Sequence, residues 1–490
     1  MIRPFKMLLW LLLTTASHGC VAFAVEPPPS PDKERRNVLF VMFDDLGNVF
    51  DSPASLRVST PHLDRLRQRG IYFQEAYCQV PLCNPSRASI LTGLRPDHTT
   101  VWDLDRHFRQ QLPQVVTLPQ YFRQQGYRVA RVGKLYHYDV PTGIGTHGLD
   151  DAVSWDEVVN PRGRDVWDEA YIENPTPTRP ISAALSWLAA EGDDEQQTDG
   201  MIATAAIDFL EKHRRQPFFL GVGFFRPHTP YVAPRKYFEL YPRTSLHLPL
   251  IPADDRQDLP AAAIPHNIPL PNYGLPSDKL LQAMQAYAAS VTFADAQLGR
   301  ILAKLDEWQL TDDTLIVVLS DHGYHLGEHG LWQKRTLFRE SARTPLFIAA
   351  PWLHSGGAVC QRTVELIDLY PTLTEIVFDH AVPAQDGQSL QPLLVDPSRE
   401  WDSIAMTQIL RPGSEQMVMG RALTSERWRY IEWNEGQHGR ELYDRQQDPQ
   451  EWHNLAEQTR YNGLMRELAR QFQGKAQGQP PTSPVQRTRL

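Results

Sequence analysis

Cysteine is scarce in this chain: four residues in 490, too few for a fold built on disulfides. Positive charge is not in excess either. Forty-nine Lys and Arg stand against 58 Asp and Glu, a formal charge of -9, which leaves no basic footprint for a nucleic-acid partner. Beyond the N-terminal leader no stretch approaches 18 consecutive apolar residues, so no membrane span is expected. Disorder on a large scale is also excluded. Hydrophobic residues make up 41%, and the 29 glycines bring the apolar share to about 47%, the ordinary globular value. A chain of this length holds two to four domains, or one large α/β unit with an appendage. The composition is that of a large, mildly acidic globular protein.

Residues 1–24 read as a cleaved secretory signal. Arg3 and Lys6 give a positive start, Met7 to Leu13 is almost unbroken apolar chain, and Ala22-Phe23-Ala24 is an A-x-A cleavage pattern. Ser17-His18-Gly19-Cys20 faintly suggests a lipoprotein site, but His18 fits it poorly. The expectation is a secreted or periplasmic protein whose mature chain starts near Val25. Removal of the leader leaves Cys78, Cys83 and Cys360, an odd number that implies one thiol kept for another purpose.

Residues 25–36 form a Pro-rich charged linker. Asn37 to Phe43 then gives an apolar run of strand length, of the kind buried on both faces of a parallel sheet. Tyr127 to Val132, Pro217 to Phe225 and Thr314 to Leu319 repeat the pattern. A helix is predicted where Met284, Tyr287, Val291, Ala294, Leu298, Ile301, Leu302 and Leu305 recur every three or four residues. Strands alternating with helices predict a mainly parallel α/β sheet. Residues 227–276 carry eleven prolines and read as long surface excursions rather than sheet. From about residue 396 the chain turns to short aromatic-rich segments, Met417 to Leu423 and Trp428 to Trp433, with a turn introduced by Glu441 to Asp444. The expected division is a catalytic domain over 37–395, a smaller α+β subdomain over 396–473 and a disordered tail over 474–490.

Each of the four buried runs delivers polar residues at its carboxyl end. These are Asp44-Asp45, then Gly133-Lys134 with His137, then Arg226-Pro227-His228, and finally Asp321-His322-Gly323. Ligands of open α/β sheets bind outside those strand ends, so the four groups are expected to face one pocket. Taken singly, a paired Asp is as often a helix cap or turn, and a lone Lys or His is more often solvated than catalytic. Together, Asp44, Asp45 and Asp321 would repel one another in a cleft unless a cation lay among them. Oxygen ligation suits a hard ion such as Ca²⁺ or Mg²⁺.

Cys83-Asn84-Pro85-Ser86-Arg87, followed by Leu91-Thr92-Gly93, opens a predicted helix. This segment resembles the type I sulfatase signature. The resemblance extends through Thr60-Pro61-His62-Leu63-Asp64, Gly133-Lys134, Pro227-His228, Asp321-His322-Gly323 with Lys334, and Leu442-Tyr443-Asp444. In order and spacing it looks closest to the iduronate-2-sulfatase branch. It implies an alkaline-phosphatase-like α/β fold and a dedicated maturation enzyme that oxidises Cys83 to formylglycine, whose hydrated aldehyde is the nucleophile. It further implies that one Ca²⁺ is held by Asp44, Asp45, Asp321 and His322 with the residue at 83. Arg87 and Lys134 would then hold the diol, His137 would take its second proton, and His228 and Lys334 would bind sulfate and assist the leaving oxygen. The implied substrate is a sulfated sugar. Leu94 stands where relatives commonly carry Arg, with Arg95 one place later.

The same residues admit three alternatives. A phosphate or phosphonate monoester hydrolase on the same scaffold would share the cationic pocket, and a glycan-binding protein that is never matured would share everything but turnover. His325-Leu326-Gly327-Glu328-His329 fits a zinc-protease pattern that works only on a helix. Gly323 and Gly327 place it in a loop instead, where these residues would line the pocket mouth. Trp102, Trp155, Trp332, Arg95, Asp97 and Arg226 are candidate sugar contacts. Cys78 and Cys360 are open to pairing or to remaining free thiols.

Overall fold

The computed structural model describes residues 36–476 apart from 52–55, 266–267, 269, 354–355, 381, 383–385 and 414–415. The expected signal, nearly all of the linker and the tail from 477 onward lie outside the described residues.

Eight strands form the central sheet. They are β1 (Asn37–Asp44), β2 (Ile71–Tyr77), β3 (Arg128–Gly133), β4 (Glu157–Val159), β5 (Phe218–Pro227), β6 (Thr314–Ser320), β7 (Arg343–Ala349) and β8 (Ala358–Glu365), in the order β8-β2-β7-β6-β1-β5-β3-β4. The four runs marked by their apolar composition are neighbours at its centre. β6, β1, β5 and β3 are all parallel, with Val38 paired to both Leu315 and Phe219, so their carboxyl ends emerge together. Only β7 opposes its partners, β2 and β6.

Side chains of β1 alternate between two cores. Leu39, Val41 and Phe43 pack with the Ser277–Glu307 helix, while Val38, Phe40 and Met42 pack on the other face. Burial on both faces is why the strand reads as an unbroken apolar run. The eight periodic residues of the long helix, from Met284 to Leu305, are all buried. The Pro-rich segment departs from expectation in one place. Tyr231–Pro234 is a buried strand pairing in parallel with Trp187–Ala190.

The smaller C-terminal unit is a four-stranded antiparallel meander over Ala405–Pro412, Met417–Thr424, Trp428–Trp433 and Arg440–Asp444. Glu441 to Asp444 is therefore strand, and the chain turns only after it. The Asn462–Ala476 helix covers one face of the meander, where Leu468 packs with Met406, Leu423 and Leu442. Cys78 and Cys360 are buried free thiols, so the disulfide alternative falls. Among the described residues no helix is long and apolar enough to cross a membrane.

Candidate active site

β1 ends at Asp44, and Asp45 adopts a left-handed backbone with φ 68°. A buried tyrosine holds that turn. The Tyr287 hydroxyl donates to the Asp45 carbonyl at 2.9 Å and accepts from the Gly47 amide at 2.7 Å. Periodicity assigned Tyr287 to the core and gave no sign of this second task. At the end of β3, Gly133 has φ 76°, and a Cβ there would lie 2.2 Å from the Gly223 carbonyl oxygen. Only glycine fits, and the turn directs Lys134 into the site.

Cys83 is the first residue of the Cys83–Thr92 helix, which is buried along its whole length. Arg87 lies one turn further on with no solvent exposure. Its Nε donates to Asp321 at 2.8 Å, Nη2 to Asp44 at 3.1 Å, and Nη1 to the Lys134 carbonyl at 2.5 Å. One guanidinium thus ties three strand ends to the helix, a fork geometry available to arginine alone. Lys134 Nζ lies 2.6 Å from the other Asp44 oxygen. Lys334 Nζ pairs with Asp45 and donates to the Cys83 sulfur at 3.3 Å.

All ten site residues named from the sequence are thereby brought to one place. His322 Nε2 is 3.4 Å from Cys83 Sγ and 3.4 Å from Asp45. Its Nδ1 faces the Gly323 carbonyl at 2.9 Å. A carbonyl only accepts, so Nδ1 carries the proton. His228 is oriented likewise by the Thr229 carbonyl and approaches Asp45 at 3.8 Å. His137 is buried beside Cys83, and its Nε2 lies 3.5 Å from Asp139.

The charge balance differs from the one expected. Asp44, Asp45 and Asp321 do not face one another bare, because Arg87, Lys134 and Lys334 lie among them. Mutual repulsion of the acids therefore gives no argument for a metal. The donor set does. Single donor atoms of Asp44, Asp45, Cys83 and His322 lie within 4.8 Å of one another, all buried, and their carboxylate oxygens suit a hard divalent ion.

Burial opposes ionisation of Cys83, yet Lys334, His322 and Lys134 outweigh it and hold the thiol well below its usual value. Burial likewise disfavours a charged His322, but Asp321 and Cys83 raise it to about 9. Asp44 is kept below the ordinary carboxylate range by Lys134 against its own burial. Asp321 has Arg87 but no lysine, and burial pushes it up to about 6.

Several sequence expectations do not hold. Arg95 is buried and bidentate to Glu365 at 2.8 and 2.6 Å, and Arg226 is buried against Asp165 at 2.6 Å. Trp155 and Trp332 are buried and donate to Asp150 and Asn272, and Asp97 accepts from Gln408. Arg95, Arg226, Trp155 and Trp332 serve the framework rather than an open sugar site, while Asp97 and Trp102 keep partial exposure. His325 and His329 are buried too, bonded to Thr336 and Asp255. They lie in a short strand and a turn rather than on one helix, and present no joint metal face.

Fold and site together define a hydrolase that acts on an ester at a buried Cys/Asp/His cluster. The sulfatase profile matches residues 36–379, and the C-terminal profile of N-sulphoglucosamine sulphohydrolase matches 327–478. The chain belongs to the sulfatase family. A sulfatase of Formosa agariphila is 32% identical over 446 residues, covering 89% of this chain and 86% of that one. The iduronate 2-sulfatase of Homo sapiens is 32% identical over 418 residues, covering 76% and 74%. Among solved structures, a phosphonate monoester hydrolase of Agrobacterium radiobacter superposes with a TM-score of 0.74 at 21% identity, covering 91% of this chain and 96% of that one, a likeness of fold alone.

Proposed function

We propose that this protein is an exported sulfatase that removes sulfate from a sulfated carbohydrate, in the manner of iduronate 2-sulfatase. The observation that carries the reading is the meeting of Cys83 with Asp44, Asp45 and His322 inside a ring of buried basic groups. A formylglycine made from Cys83 by a maturation enzyme would supply a hydrated aldehyde as nucleophile, and a calcium ion would supply positive charge at the sulfate oxygens. Asp44, Asp45, Asp321 and His322 would hold that ion with the residue at 83. Fixed cations aimed at those oxygens lower the barrier as negative charge spreads, and Arg87, Lys134 and Lys334 are so fixed. His228, anchored through Nδ1, is placed to assist the leaving oxygen. His137 lies beside Cys83, and burial keeps it below its usual pKa, so it suits a base that accepts a proton.

The test is co-expression with a formylglycine-generating enzyme, followed by mass analysis of the Cys83 peptide and assays on paired aryl sulfate and aryl phosphate. Conversion of the thiol and preference for sulfate are expected, with turnover lost in Cys83→Ala. Preference for phosphate would make it a phosphomonoester hydrolase. A thiol throughout, in a host with the maturation enzyme, would favour glycan binding without turnover. A panel of defined sulfated oligosaccharides then identifies the sugar.

A further inference from the structure

Lys334 is flanked by two residues with left-handed backbones, Gln333 at φ 68° and Arg335 at φ 76°. Neither is glycine, and such conformations persist only where surroundings impose them. Here the restraints are visible. Tyr273 donates to Gln333 Oε1 at 3.0 Å, and Gln333 donates to the Ala184 carbonyl at 3.1 Å. The Arg335 amide donates to the Pro81 carbonyl at 3.2 Å, and its carbonyl accepts from Arg411 at 2.6 Å. The backbone is pinned on both sides, but the guanidinium is not. Among the described residues it has no hydrogen-bond or ion-pair partner, although solvent reaches it.

The charges nearby make this unusual. Lys334 is neutralised by Asp45. Arg335 instead has Arg411 for a charged neighbour, and burial together with the Arg335 charge lowers Arg411 to about 10. Burial lowers Arg335 as well, and the Cys83 anion, within electrostatic reach, opposes that shift. An uncompensated arginine on a fixed backbone, one residue from the lysine that touches Cys83, is arranged to receive an anion. Its planar fork fits a carboxylate or sulfate in bidentate fashion.

We propose that Arg335 is a specificity-determining residue that selects substrates carrying a second oxyanion beside the scissile sulfate. This rests on the sulfatase reading above. A carboxylate on the same ring, as in a sulfated uronic acid, and a second sulfate share the required chemistry. The experiment compares Arg335→Gln and Arg335→Lys with the parent on three ligands: a sulfated uronic acid, the matching sulfated neutral hexose and a disulfated hexose. For the doubly charged ligands, kcat/KM relative to the neutral hexose should fall about ten- to a hundredfold in Arg335→Gln. Arg335→Lys should recover part of the loss. Whichever doubly charged ligand loses more identifies the anion. Calorimetric binding of the same ligands to the unmatured protein gives a readout independent of turnover. A differential loss of binding without any sulfate hydrolysis would uphold Arg335 while removing the sulfatase reading. Equal effects on all three ligands, or none, would overturn the proposal.

Discussion

The Ser86 hydroxyl donates to the main-chain carbonyl of Asp321 at 2.5 Å, joining two motifs 235 residues apart. Both residues are fully buried, and Arg87 makes a second link to the same aspartate. The signature serine therefore holds the Cys83 helix against the end of β6. Ser86→Ala would leave a buried carbonyl without this donor, at a cost of roughly 1–3 kcal/mol. We expect a lower Tm and a fall in kcat larger than the change in KM. Thermal melts and steady-state kinetics check this, and an unaltered kcat would show that the link is dispensable.

Metal removal should be visible in stability as well as turnover. An ion that binds only the folded chain stabilises it by about 2.7 kcal/mol at a hundredfold excess over Kd. Calcium should raise the Tm of chelator-treated protein, and Asp45→Asn should abolish the response. If calcium changes neither Tm nor turnover, the Asp44, Asp45, Cys83 and His322 cluster is not a calcium site.

Gly133→Ala should be severe for so small a change. The added methyl would meet the Gly223 carbonyl at 2.2 Å and Ile202 at 2.6 Å, in a left-handed backbone. A loss of about 2 kcal/mol or more is expected, with displacement of Lys134. Denaturant titration would show it, and a wild-type midpoint would refute it.

Glu75 gives a pH signature remote from the site. Its burial favours the neutral acid, but Arg445, Arg339 and Arg343 outweigh this and hold it at about 2, below its usual 4.5. A depressed carboxyl stabilises the fold above its unfolded pKa, and that contribution fades as pH falls through the folded one. Glu75→Gln should be less stable at pH 7 by roughly 3 kcal/mol. The two proteins should converge between about pH 4.5 and 2. Parallel stability curves over that range would exclude the mechanism.

Legibility in the sequence followed burial. β1, β3, β5 and β6 were readable because central parallel strands are apolar throughout. β7 was hidden by Pro345, which sits where the register shifts between Thr344 and Leu346, the place a sheet tolerates proline. β8 is half-exposed, with its own shift between Cys360 and Thr363, and so lacks a continuous run. Tyr231–Pro234 was masked in the same way by its prolines.

By itself the sequence determined which residue types cluster at four strand ends and that Cys83 heads a sulfatase signature, because those features depend on local pattern. Only the tertiary structure decided how the charges pair. Arg87 could be seen to bridge Asp44 and Asp321, Arg95 and Arg226 to be spent on the framework, and Arg335 to stand unpaired, only once distant segments met. Pairing depends on distances of a few ångströms between groups hundreds of residues apart, and no spacing along the chain encodes those.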